Sequence, residues 1–241
     1  MKRNSFAAAV LSVAIFAFAP TCYGDGAPGT ARAKPDDHTV SLDLKFTKKK
    51  PNAVQRLLSI LDYGPNGFAT GFVVGDGLVM TAYHAVSGKL SVSKKAQLGF
   101  AASDELQVAI FVNGCNARVI KIDEEADLAL LRICQSKKNA KTPAFQGSLI
   151  KDEQLVVIAR QHGSKVVKKG VFFGPQMVGT QEFSLARIDG RDGYSGSPVY
   201  NQKAEIVGVF SGYDRMQKLA VISPGMRAQK LLEDYAADVK Q

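Results

Sequence analysis

From Phe68 to Ile222 the chain is cut by turn signals into short runs of β-forming residues, and few folds accept that punctuation. Phe68–Val74 is a β-type run, Gly75-Asp76-Gly77 is a hairpin signal, and Leu78-Val79-Met80-Thr81 is the returning strand. Val108–Val112, a turn at Asn113-Gly114, Ala117–Ile122, an acidic turn Asp123-Glu124-Glu125 and Leu128–Ile133 follow. Beyond a polar connector at Lys138–Thr142 the pattern resumes with Gln154–Ala159, Val166–Phe173, Met177–Ile188, Val199–Tyr200, Glu205–Ser211 and Leu219–Ile222. Many short strands at regular spacing predict an all-β barrel or sandwich rather than alternating β and α units. The end differs: Pro224–Val239 has helical periodicity, with Met226, Leu231, Leu232 and Tyr235 able to share one face.

Within this β framework one stretch carries chemistry. Gly193-Tyr194-Ser195-Gly196-Ser197-Pro198 holds a serine between two glycines, which lets the backbone turn sharply and aim neighbouring N–H groups at one point. A serine hydroxyl is a weak nucleophile at neutral pH, so Ser195 needs a base and a group to orient that base. Thr81-Ala82-Tyr83-His84 and Asp127-Leu128-Ala129-Leu130-Leu131 supply both, upstream.

These three blocks resemble the His, Asp and Ser blocks of chymotrypsin-fold (trypsin-like) serine proteases, closest to bacterial glutamyl-endopeptidase and HtrA-like enzymes. Their order matches that family, whereas an α/β-hydrolase runs Ser, Asp, His. The resemblance covers roughly residues 53–239 and implies two antiparallel six-stranded β-barrels with a C-terminal helix, the first over 53–140 and the second over 141–241. It implies His84 as general base, Asp127 as its orienting partner, and Ser195 as nucleophile of an endopeptidase working through an acyl-enzyme. The N–H groups of Gly193 and Ser195 are the implied oxyanion hole, and neither a metal nor an organic cofactor is required. A polypeptide is the implied partner. The rival reading is a catalytically silent chymotrypsin-fold binding protein acting through its basic surface.

Gly208-Val209-Phe210-Ser211-Gly212 matches the family segment that pairs with substrate backbone and walls the first specificity pocket, with Gly212 leaving room for a large side chain. Phe210 stands where glutamyl endopeptidases carry a pocket His, which disfavours cleavage after Glu. Asp189 lies at the offset where trypsins place the acid that selects Arg or Lys, yet Arg187, Arg191 and Asp192 crowd it. Two readings of Asp189 stay open: pocket floor, or surface carboxylate paired with Arg191.

The start of the chain reads as an address. Lys2 and Arg3, then an apolar run of 14 residues from Phe6 to Ala19, then Pro20–Gly24, describe a signal segment over 1–24, too short in its apolar part to span a bilayer. The expectation is export to the periplasm or medium, without stable membrane insertion. Residues 25–52, rich in Gly, Pro, Lys and Asp, read as a flexible lead-in or pro-segment. Losing Lys2 and Arg3 takes the net charge from +9 to about +7, which fits loose attraction to anionic envelope surfaces. No basic stripe interleaved with aromatics is present, which speaks against nucleic acid. His, Cys and carboxylates nowhere take metal-site spacing. In an oxidising compartment Cys115 and Cys134 become disulfide candidates. If Ile122 faces Asp127 across the acidic turn, positions summing to 249 are opposite and Cys115 meets Cys134.

Overall fold

Alternating burial builds both halves of the molecule. The computed structural model describes residues 35, 37–51, 66–134 and 143–240; the expected signal segment, the run Val54–Leu61 and the connector Lys138–Thr142 lie outside them. Strands β1 (Thr39–Lys48), β2 (Gly67–Gly75), β3 (Leu78–Ala82), β4 (Leu106–Val112), β5 (Cys115–Asp123) and β6 (Leu128–Ile133) close into one antiparallel barrel, in the order β1-β2-β3-β6-β5-β4. Strands β7 (Gln154–Gln161), β8 (Ser164–Val178), β9 (Gln181–Arg187), β10 (Pro198–Tyr200), β11 (Ile206–Asp214) and β12 (Leu219–Pro224) close a second, in the order β10-β11-β12-β9-β8-β7. Helices α1 (Tyr83–Val86) and α2 (Val92–Gln97) follow β3, and α3 (Gly225–Asp238) ends the fold. Among the described residues no helix is long and apolar enough to cross a membrane.

Strand β1 corrects the reading of 25–52 as a flexible lead-in. Leu42, Leu44 and Phe46 point into the first barrel while Asp43, Lys45 and Thr47 alternate outward, so a Lys- and Asp-rich segment still has the period-two pattern of a half-buried strand. Pairing of β1 with β2 on one side and β4 on the other is what closes that barrel.

In the second barrel, Val166–Phe173 and Met177 belong to the same long strand β8, with the turn at Gly179 rather than near Pro175. Pro175 is tolerated because β8 pairs with β7 only as far as Val171; beyond that it pairs with β9 alone, past a bulge between Phe172 and Gly174.

Each barrel has its own apolar core, and a third cluster joins them. Phe72, Val74, Met80, Leu128 and Leu130 of the first barrel meet Ile158, Tyr200, Ile206 and Val209 of the second, and Ala228 and Leu231 of α3 complete the cluster. Fully burying side chains of this size contributes about 1.5–3 kcal/mol each. Leu232 and Tyr235 pack against the same cluster, but Met226 is 48% exposed and rests over Gly147 instead. A bidentate pair from Arg227 to Asp123 (2.7 Å to each oxygen) further ties α3 to the acidic turn between β5 and β6.

Cys115 and Cys134 are disulfide-bonded, with their Cα atoms 6.0 Å apart. The register differs from the expected one. Lys121, Ile122 and Asp123 face Leu130, Ala129 and Leu128, and a bulge at Ile120 shifts the pairing so that Ala117 faces Ile133. In this register Asn116 would face Cys134, so the cysteines stand one position out of direct opposition, still within bridging reach.

Candidate active site

Three different local structures bring three side chains together. His84 sits in α1, the single turn that follows β3, so its position is fixed by a strand whose residues Val79–Ala82 are fully or almost fully buried. Asp127 has φ 54, a left-handed conformation that Asp tolerates better than most residues, and its main-chain carbonyl accepts the Tyr83 N–H at 3.0 Å. Its carboxylate thereby faces His84 twice: Oδ1 accepts the His84 main-chain N–H at 2.8 Å, and Oδ2 lies 2.7 Å from Nδ1. On the other edge of the imidazole, Nε2 lies 2.9 Å from Ser195 Oγ. Together these distances orient the ring with Nδ1–H toward the carboxylate and a lone pair toward the hydroxyl.

The loop carrying Ser195 is held from several sides. Gly193 and Gly196 have φ of 93 and 84, the left-handed region that glycine occupies freely. At Gly196 a side chain is also sterically barred: a Cβ there would stand 2.1 Å from both the Thr70 carbonyl oxygen and Thr81 Oγ1. The Gly196 N–H donates to the Phe210 carbonyl and the Ser197 N–H to the Tyr194 carbonyl. The Gly193 and Ser195 N–H groups, by contrast, donate to no acceptor among the described residues, which leaves two donors beside the hydroxyl. Tyr194 is buried edge-on against Phe210, and burial pushes its phenol above the ordinary 10.0.

Ser211 joins the constellation through a bulge. The pairing of β11 with β12 passes from Phe210–Ile222 to Gly212–Val221, so Ser211 is the extra residue and its hydroxyl is turned to donate to Asp127 Oδ2. The ladder between β10 and β11 ends at Pro198–Val209, so the edge of β11 from Ser211 onward faces no strand among the described residues. Gly212 lies on this edge with open space where a side chain would be.

Of the two readings of Asp189, pocket floor or surface carboxylate paired with Arg191, the structure fits the second. Asp189 is on the surface, its side chain 53% exposed and paired with Lys168 (3.7 Å) and Arg191 (3.8 Å). Gly212 keeps open space around it, and the crowding lies at Gly190. Phe210 and Tyr213 pack so closely on Gly190 that a Cβ there would be 2.7 Å from the Phe210 ring and 2.8 Å from Tyr213 Cβ.

An open cleft of about 540 Å³ lies on the other side of Ser195, lined by His84, Gly193, Phe46, Phe68, Leu90 and His162 among others. No residue of β11 lines it. His162 is in a turn (φ 49) and sets its ring 4.4 Å from that of Phe68. The ion pair Lys94–Asp192 (2.9 Å) crosses the rim from α2 to the Ser195 loop. None of Phe46, Phe68, Thr70, Lys94 or Tyr213 stands out in sequence, since apolar and polar residues in strands look alike whether they line a cleft or a core.

A family model for the trypsin-like peptidase domain matches residues 69–209, more than half of the chain. The chain belongs to the trypsin-like peptidase family. The match includes all three active-site blocks of this serine-protease chain and stops at β11. Among curated proteins nothing matches. Among solved structures, this peptidase-family chain is similar to the Rv3671c protease in an inactive form, with a TM-score of 0.53 and 16% identity over 84% of this chain and 97% of that one. It is also similar to a Ser-to-Ala mutant of Rv3671c from M. tuberculosis H37Rv, again an inactive form, with a TM-score of 0.52 and 17% identity over 85% and 96% of the two chains. At such identities these likenesses establish the two-barrel fold.

Proposed function

We propose that the chain is an exported serine endopeptidase that cleaves polypeptides through His84, Asp127 and Ser195. The observation that carries this reading is the continuous hydrogen-bonded line from Asp127 through both ring nitrogens of His84 to Ser195 Oγ. With Nδ1–H donated to Asp127, Nε2 is free to take the Ser195 proton as Oγ attacks the scissile carbonyl. The carbonyl oxygen then carries negative charge, which the Gly193 and Ser195 N–H groups stabilise. His84 returns its proton to the leaving amine as the C–N bond breaks, leaving an ester on Ser195. Water, deprotonated by the same nitrogen, attacks that ester, and the proton goes back to Ser195 Oγ. Asp127 stays ionised throughout and stabilises the imidazolium.

The acyl part of the substrate adds to the free edge of β11 at Ser211 and Gly212, where its backbone finds partners. Phe210 and Tyr213 limit the first pocket to small side chains. The leaving part lies in the cleft between Phe46, Phe68, Leu90 and His162. The Cys115–Cys134 bridge supports an oxidising compartment and hence export.

The test is digestion of an unfolded protein by the purified wild type and by Ser195→Ala, with every new terminus mapped by mass spectrometry. Internal cuts made by the wild type alone support the endopeptidase. Release of terminal residues only, or equal cutting by the variant, contradicts it.

A further inference from the structure

Thr70 lies in β2 of the first barrel, yet most of its polar atoms are committed to the Ser195 loop of the second. Its side chain is fully buried. The hydroxyl donates to the Gly193 carbonyl at 2.8 Å and accepts the Arg160 N–H at 2.8 Å, with a longer approach of 3.5 Å to the Arg160 carbonyl. Its main-chain N–H donates to the Ser195 carbonyl at 2.9 Å, and its carbonyl accepts the Thr81 hydroxyl at 2.7 Å.

The consequence is geometric. The peptide plane between Gly193 and Tyr194 is pinned at both ends, its carbonyl by the Thr70 hydroxyl and its N–H by the Arg191 carbonyl at 3.1 Å. The plane between Ser195 and Gly196 is pinned in the same way, by the Thr70 N–H and the Phe210 carbonyl. Between these two planes stands the Ser195 N–H, and just before the first stands the Gly193 N–H. At Gly193 (φ 93) no Cβ restrains the backbone, and a Cβ would meet nothing closer than 3.6 Å, so local sterics do not choose the direction of that N–H. A hydrogen bond to the next carbonyl has to do so. Behind Thr70, Arg160 is itself anchored to the first barrel's leading edge, by Thr39 at 2.9 Å and Asp37 at 2.8 Å.

We propose that the Thr70 hydroxyl is a positioning residue for catalysis: through the Gly193 carbonyl it holds the Gly193 and Ser195 N–H groups convergent on the developing oxyanion. This rests on the serine-protease reading of the site. It places one determinant of transition-state stabilisation in the barrel opposite to the one that carries the donors.

The test compares Thr70→Val, which keeps the shape and loses the hydroxyl, with Thr70→Ser, which keeps the hydroxyl and loses a methyl. Readouts are kcat and KM on a peptide ester, inhibition by a peptide aldehyde, which mimics the tetrahedral oxyanion, and thermal unfolding. Losing one oxyanion donor outright costs about 100- to 1,000-fold in rate, so loosening both predicts a fall in kcat of at least about 30-fold for Thr70→Val. KM should stay within about twofold, and the aldehyde should weaken by the same factor as kcat. Thr70→Ser should stay within about threefold of wild type on all three counts.

A Thr70→Val enzyme that melts earlier but keeps kcat and aldehyde affinity overturns the proposal. If Thr70→Val does not fold, a folded Thr70→Ser with kcat down more than 30-fold overturns it and near-wild-type kinetics support it, since the hydroxyl is the one feature retained. Failure of the wild type itself to hydrolyse the ester or react with a fluorophosphonate would instead overturn the underlying protease reading.

Discussion

Replacing Asp127 by Asn tests how the orienting carboxylate acts. Oδ1 receives the His84 main-chain N–H, while Oδ2 receives the Nδ1 side of the ring and the Ser211 hydroxyl. An amide has one acceptor and one double donor. Placing its NH₂ at the Oδ1 position sets two donors against each other at a fixed main-chain N–H, so the NH₂ must go to the Oδ2 position. There it faces Nδ1, which has to become the acceptor, and the ring proton moves to Nε2. His84 then donates to Ser195 Oγ instead of accepting from it, and the base is lost while the packing is kept. Loss of the correct tautomer in such a triad lowers kcat by about 10,000-fold, or about 5 kcal/mol of barrier. Steady-state hydrolysis of a peptide ester at pH 7–8 by wild type and Asp127→Asn, with unfolding curves for both, measures it. A folded Asp127→Asn that keeps more than a tenth of wild-type kcat would refute the tautomer argument.

Other predictions follow from the surroundings of the site. Burial alone would raise the Asp37 carboxyl, but hydrogen bonds from Lys165 and Thr39 and the charge of Arg160 outweigh it and hold the group down at about 2 against 3.8. That corresponds to at most about 2.4 kcal/mol, and screening at a partly exposed site trims it to about 1–2 kcal/mol. Because the folded value is depressed, the contribution is present above pH 4 and is lost as pH falls through about 2, so Asp37→Asn should lower stability at pH 7 and be nearly neutral near pH 2 by chemical denaturation. Tyr213→Ala should raise kcat/KM for substrates with Leu or Phe before the scissile bond by about 10- to 200-fold relative to Ala, read from a matched peptide series; an unchanged ratio would place the limit elsewhere. Serine at both Cys115 and Cys134 opens a loop with a sequence separation of 19 and should cost about 3 kcal/mol, measured by urea unfolding, with kcat unchanged at temperatures where the variant is folded.

The fold and the three active-site blocks were legible because both depend on local patterns. Short β-runs, a Gly-Asp-Gly hairpin and a glycine-flanked serine are each written within about ten residues. Strand β1 was also legible in principle, since Leu42, Leu44 and Phe46 alternate, but a background of Lys and Asp hides that period behind a composition typical of linkers. Register was less accessible: the bulge at Ile120 has no signature in Asn116–Asp123, and it shifts the partner of every residue beyond it. The specificity pocket was least accessible. Whether Asp189 points into a pocket or to solvent depends on Lys168 from another strand, and the packing of Phe210 and Tyr213 on Gly190 joins segments distant in sequence. Thr70 carries no local signal at all, because its role exists only once the two barrels are side by side.

The most direct measurement of the central claim is reaction of the purified protein with a fluorophosphonate probe, with the adduct located by peptide mass spectrometry in wild type, Ser195→Ala and His84→Ala. The account predicts stoichiometric labelling of wild type on Ser195, no labelling of Ser195→Ala, and labelling of His84→Ala slowed by orders of magnitude, because the hydroxyl has lost its base. A folded wild type that does not label, or labels at another residue, would contradict it.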